Sequence, residues 1–282
     1  MIRVGVGLPT STPGTGRDLV LDWARRADEG PFTSLGVIDR LVYECWEPLA
    51  ALAACAAVTE RARLVTMIVI GPLRPTALLA KQAATVDALS GGRLALGLGL
   101  GARHDDYDAA GVAHHGRGDT LTRQLVELRR HWEAGVVGPR PAQPDGPALL
   151  VGGGGSAAFA RAARHADGYV HGGGPPRAFA GAAARVRAAW ADAGRPGAPR
   201  LWGQAYFALG DEATAEAGAA YLRDYYRFTG GFEERIAAGN LTTPAAIKDL
   251  VRGYEEEGCD ELVLLPTVAR PDQLDRLAEV LA

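Results

Sequence analysis

The sequence predicts an α/β protein, a closed (β/α)8 TIM barrel. Short apolar segments alternate with helical ones eight times, which implies parallel strands joined by right-handed crossovers. The chain has 282 residues, 48% of them hydrophobic, enough for one barrel with a full core. The ends of the expected strands are rich in glycine and polar residues, and in a parallel barrel that end is where sites are built. The reading is one barrel domain over residues 1–282. The rival, an open doubly wound sheet, is disfavoured by the strand count.

Taken in order, Ile2 to Leu8 reads as the first strand, closed by Pro9. Arg17 to Glu29 has helical spacing, with Leu19, Val20, Trp23 and Ala27 on one side. The second strand is Leu35 to Ile38, ending at Asp39-Arg40, followed by an Ala/Leu helix over Glu47 to Thr59. Ala62 to Ile70 is β-branched and stops at Gly71-Pro72; Thr76 to Ala88 is helical. Arg93 to Leu98 is the fourth strand, its end marked by Gly97, Gly99 and Gly101 and then by the polar run Arg103-His104-Asp105-Asp106. A helix follows over Thr120 to Ala134.

Ala148 to Val151 is the fifth strand, running into Gly152–Gly155 and a helix over Ser156 to His165 that Ser156 is expected to cap. Gly168 to His171, Leu201 to Ala208 and Glu261 to Leu265 are the last three strands. Helices are expected over Pro176 to Asp192, Thr214 to Tyr226, Pro244 to Glu257 and Pro271 to Leu281, with a short one near Phe232 to Ala238.

Composition narrows the function classes. A net charge of −3 gives no electrostatic case for nucleic acid or an anionic membrane. No apolar run is long enough to cross a bilayer, and MIRVGVGLP lacks the features of a signal peptide, so a soluble, cytoplasmic protein is expected. The three cysteines have no metal-ligand spacing, and His114-His115 are adjacent, so no metal site is expected. There is no P-loop lysine, no dinucleotide fingerprint and no Gly-x-Ser-x-Gly elbow.

Glycine at every second residue strips side chains from one face of a strand end, so something flat can approach closely. Gly153, Gly154, Gly155 and Ser156 lead from a strand into a helix, where backbone N–H groups bind anions, above all phosphate. Arg117 could pair with that phosphate. His104 and His171 fall at strand ends and are the candidate proton donors. Asp39 and Arg40 could form a buried ion pair lining the mouth, and Phe207 an apolar wall for an organic substrate.

Four runs carry a resemblance. LLAKQAATVDALSGGRLALGLGLG (Leu78–Gly101), EPLAALAACAAVTERARL (Glu47–Leu64), GPALLVGGGGSAAFARAARHADG (Gly146–Gly168) and YEEEGCDELVLL (Tyr254–Leu265) together resemble the bacterial luciferase-like, flavin-dependent oxidoreductase family. The resemblance implies a barrel that binds reduced FMN, or the deazaflavin coenzyme F420, at the strand C-terminal ends. FMN users in the family are often monooxygenases that use O2 and receive reduced flavin from a separate reductase; deazaflavin users transfer hydride. Members are commonly homodimers, and some are noncatalytic flavin-binding barrels. The leading expectation is an FMNH2-dependent monooxygenase acting on a small organic substrate. An F420-dependent reductase or dehydrogenase is the first alternative, a flavin binder without turnover the second.

The resemblance also implies site residues. A bulge at Thr66-Met67-Ile68, often with a non-prolyl cis peptide in the family, would back the flavin ring. Gly99, Gly101 and Ala102 would offer backbone to the flavin, and Arg117 with Gly153–Ser156 would take its phosphate. Two departures stand out. Arg40 occupies a position where many deazaflavin members have histidine. The segment from Trp132 to Pro147 is short for the family, which implies a barrel mouth that is more open or is covered by a partner subunit.

Overall fold

The computed structural model describes residues 1–282 and is a closed parallel barrel. Its staves are β1 (Arg3–Gly7), β2 (Ser34–Val37), β3 with β4 (Arg63–Thr66 and Val69–Ile70), β5 (Leu94–Gly99), β6 (Ala148–Gly152), β7 (Gly168–His171), β8 (Arg200–Phe207) and β9 (Glu261–Pro266). β3 and β4 are two halves of one stave, interrupted by Met67-Ile68. Every pairing is parallel, and β3 pairs with β5 through Leu64–Leu94, which closes the ring.

Around the ring lie α1 (Arg17–Glu29), α2 (Pro48–Ala56), α3 (Thr76–Leu89), α4 (His104–Ala110), α5 (Arg117–Ala134), α6 (Ser156–His165), α7 (Pro176–Asp192), α8 (Glu212–Tyr226), α9 (Glu233–Ala238), α10 (Pro244–Glu256) and α11 (Asp272–Leu281). None of them is long and apolar enough to cross a membrane. Val20, Trp23, Ala24 and Ala27 make the buried stripe of α1, one side of a 3.6-residue period.

Two apolar cores follow from the two faces of the sheet. Between sheet and helices lie residues such as Val6, Leu35, Leu96, Val151, Tyr169 and Phe207. Inside the barrel lie Val65, Leu150, Val170, Trp202, Val263 and Leu265. Glycines adjust the packing inside. A Cβ on Gly7 would sit 2.4 Å from Leu265 and one on Gly36 2.7 Å from Val263, so the small residues of β1 and β2 make room for the large ones of β9.

Three expectations are corrected. The polar run after β5 is helical: Asp105 and Asp106 stand in the first turn of α4, and Gly111 ends it in the left-handed conformation (φ 65°). Ser156 is the first helical residue of α6 and not its cap, which is Gly155, with no side chain bonded there. The segment 135–147 runs from α5 back to β6, so it crosses the floor of the barrel. There Gln143 binds the Asp87 carboxylate and the Leu94 carbonyl. Its short length therefore does not open the mouth.

Candidate active site

The mouth is built on the break in the third stave. Thr66 Oγ1 donates to the Gly97 carbonyl at 2.7 Å and Met67 N to the Val37 carbonyl at 2.7 Å, which fixes the bulge to both neighbours. The Met67–Ile68 peptide is cis, at the place the resemblance implied. Ile68 then turns into the barrel and lies across a wall of glycines. A Cβ on Gly97 would meet the Thr66 carbonyl oxygen at 2.1 Å, one on Gly99 would meet Ile68 Cδ1 at 2.6 Å, and one on Gly152 would meet Ile68 Cγ2 at 3.0 Å. Gly101 (φ +66°) gives way to Ile70. The alternate glycines thus admit the neighbouring strand, and Gly99 is covered by Ile68 and not presented to a ligand.

A cavity of about 160 Å³ opens above this floor, bounded by Met67, Ile68, Gly101, Ala102, Gln204 and Tyr206 and by the aromatic wall Tyr225, Tyr226 and Phe228. The Gln204 amide donates to the Gly172 carbonyl at 3.3 Å, and its Oε1 is buried without a partner. Tyr206 and Tyr226 join their hydroxyls at 2.6 Å. Burial raises the pKa of both tyrosines, that of Tyr206 well above the ordinary range, so both keep their protons.

Asp39 and Arg40 line the same cavity but do not pair with each other. Asp39 Oδ2 accepts from Ile70 N at 2.8 Å and from Arg74 Nη1 at 2.7 Å, which anchors β4. Arg40 Nε donates to Asp106 Oδ2 at 3.2 Å, and its other nitrogens donate to the Tyr225 and Val42 carbonyls. Asp106 Oδ1 takes the Leu41 and Val42 amides at 3.0 and 2.7 Å. Tyr43 and Tyr225 flank the Arg40 guanidinium at 5.2 and 5.1 Å. Arg40 is spent on holding the β2 loop to α4 and α8, Asp39 on holding β4 and Arg74, and neither is free to grip a substrate.

Phe207 is fully buried on the helix side of β8. Side chains alternate along a strand, so Trp202, Gln204 and Tyr206 face inward and Phe207 faces out. His171 is displaced in the same way. Val170 faces the interior, and the imidazole lies beside the stacked rings of Phe179 and Tyr254 on the helix side, with Nε2 buried and unpartnered. Burial lowers its pKa, opposed in part by a hydrogen bond with the Gly173 backbone. His104 begins α4, is exposed, and stacks on His114 with ring centres 3.7 Å apart. Neither histidine borders the mouth cavity.

A second group of residues has anion-binding character. Arg117 opens α5, its guanidinium 5.5 Å from the centre of the Tyr107 ring. It makes no ion pair, and its Nη1 is buried with no hydrogen-bond partner; His114 Nε2 is in the same condition. Arg161 of α6 donates to Thr122 and to the Gly118 carbonyl, which ties α6 to the first turn of α5. At the start of α6, Gly153 has φ +137°, and a Cβ added to Gly154 or Gly155 would meet nothing within 4 Å. An uncapped helix start with open space above it, and a buried unpaired arginine nitrogen, suit a phosphate.

The barrel is shared by known proteins. The model of the luciferase-like monooxygenase family matches residues 2–273. The chain belongs to that family. An uncharacterized protein of Mycobacterium tuberculosis (strain H37Rv) is 37% identical over 164 residues, covering 53% of this chain and 56% of that protein. Pyrimidine monooxygenase RutA of Cronobacter sakazakii is 33% identical over 171 residues, 53% of this chain and 50% of RutA. The matches thus span little more than half the length of these curated relatives. Two solved structures share the whole fold at low identity. An F420-dependent secondary alcohol dehydrogenase superposes with TM-score 0.80 at 16% identity, covering 99% of this chain and 98% of that one. Monooxygenase RslO1 of Streptomyces bottropensis gives 0.77 at 19%, covering 99% and 97%.

Gln204, Tyr206, Tyr225 and Tyr226 were missed in the sequence. The alternation of β8 held the signal for the first two; the outermost strand residue, Phe207, drew attention instead. Tyr225 and Tyr226 reach the mouth from the end of α8, and strand-end reasoning does not look there.

Proposed function

We propose that the protein is a monooxygenase that uses reduced FMN and O2 on a small organic substrate, with the reduced flavin delivered by a separate reductase and two chains forming a homodimer. The observation that carries the reading is the pairing of two half-sites on one face of the barrel. One is a floor at Met67-Ile68 under an aromatic wall. The other is the uncompensated Arg117 with the open helix start at Gly153–Ser156. Thr66 and Met67 would set the ring floor, Gly101 and Ala102 the edge, and Arg117 with the α6 amides the phosphate. Gln204 Oε1 would accept an N–H from the ring.

When bound, reduced FMN supplies the electrons that activate O2 for transfer of one oxygen atom to the substrate. The chain does the rest. Tyr225, Tyr226 and Phe228 exclude water above the floor, and the Arg40–Asp106 pair clamps the loop that closes that side. The Tyr206 and Tyr226 hydroxyls, kept protonated by burial and joined to each other, can orient a substrate by hydrogen bonding without giving up a proton. His104 and His171 do not border this cavity.

Anaerobic titration of the purified protein with reduced FMN and, separately, with reduced F420, followed by admission of O2, tests the reading. Saturable FMN binding with O2 consumption above that of free reduced flavin is expected. Binding of F420 alone would move the protein to the hydride-transfer branch, and FMN retention with no O2 reaction would make it a binder without turnover.

A further inference from the structure

Beside the mouth lies a chamber of about 540 Å³, formed between the Gly172–Pro175 loop, β8, α9 and α10. Tyr206 and Tyr226 border both spaces, so the joined hydroxyls stand as the partition between them. Ala205, Ile236, Leu241 and Leu250 make its walls apolar, and three consecutive glycines, Gly172–Gly174, keep one side free of side chains.

One charged residue borders the chamber, Arg235 at its rim. Arg235 forms no ion pair, and its side chain makes no hydrogen bond; it lies 5.7 Å over the Phe232 ring, which is itself exposed. The adjacent carboxylates are committed elsewhere. Glu233 accepts from Thr229 Oγ1 at 2.8 Å and from Gly231 N at 2.7 Å. Glu234 pairs with Arg223 at 3.0 Å. An apolar room with one uncompensated guanidinium at its entrance is complementary to an apolar molecule that carries a single negative charge.

We propose that this chamber binds the body of an aliphatic or aryl carboxylate, its carboxylate on Arg235 and its far end at the Tyr206–Tyr226 partition. Resting on the monooxygenase reading, this names the substrate class: the end of the molecule remote from the carboxylate lies against the wall that the chamber shares with the mouth.

Calorimetry on the flavin-free protein tests it, with decanoate as the probe and decyltrimethylammonium as its charge-reversed counterpart. Decanoate is expected to bind one per chain and at least about tenfold tighter than the cation. Arg235→Glu should reverse that order. Ala178→Trp, at an exposed position of α7 on the chamber edge, should remove binding of both while leaving the circular dichroism unchanged. Equal affinity for the two ions, binding unaffected by either variant, or sedimentation showing that decanoate only drives self-association would each overturn the proposal. Because no flavin is present, failure here leaves the FMN titration standing, and failure of that titration leaves this one interpretable.

Discussion

Two glycine-rich strand ends face the same side of the barrel and do opposite things. At the end of β5, Gly97, Gly99 and Gly101 give their space to the protein itself: Thr66, Ile68 and Ile70 occupy what side chains would have filled. After β6, Gly154 and Gly155 border open space, and an arginine nitrogen elsewhere on that face has no partner. Glycine marks a place where something comes close. Whether that something is the chain or a ligand is decided by the neighbouring strand, here by where the third stave breaks.

Substitutions at the two ends should separate these roles. Gly97→Ala puts a Cβ against backbone that cannot swing away, and should cost about 3 kcal/mol in urea unfolding. Gly99→Ala meets only side-chain atoms of Ile68 and should cost about 1–3 kcal/mol. In an Ile68→Ala background the same change should cost clearly less; equal costs in both backgrounds would remove Ile68 as the occupant.

β7 sharpens the contrast through pH. Burial depresses the pKa of His171, so the unfolded chain binds the proton more readily than the folded one. Stability should therefore be full above the unfolded histidine value of about 6.5 and fall as the pH drops through it. His171→Phe should make that decline shallower without abolishing it, since His165 is shifted in the same direction. An unchanged slope would place the imidazole in water. The smallest effect belongs to Gly154→Ala, whose added methyl meets nothing: stability should stay within about 0.5 kcal/mol while FMN binding weakens.

The barrel was legible because its signals are local and repeated. Helices at Arg17–Glu29, Ser156–His165 and Pro176–Asp192 end where their periodicity and flanking residues say. The bulge at Met67-Ile68 was legible through resemblance, and the open turn at Gly153–Ser156 through its place between a strand and a helix. Orientation was not. A strand end read one residue off exchanges inside for outside, and that error moved attention to Phe207 and His171 and away from Tyr206 and Val170. Pairing was equally hidden: Asp39 and Arg40 are neighbours in sequence, yet their partners, Arg74 and Asp106, lie 35 and 66 residues away.

The most direct test compares FMN with riboflavin, which lacks the phosphate, by fluorescence quenching in the native protein and in Arg117→Ala. The account predicts that the substitution weakens FMN binding by about ten- to a hundredfold, leaves riboflavin binding unchanged and leaves the unfolding midpoint where it was. Equal weakening of both flavins, or no change for FMN, would contradict it.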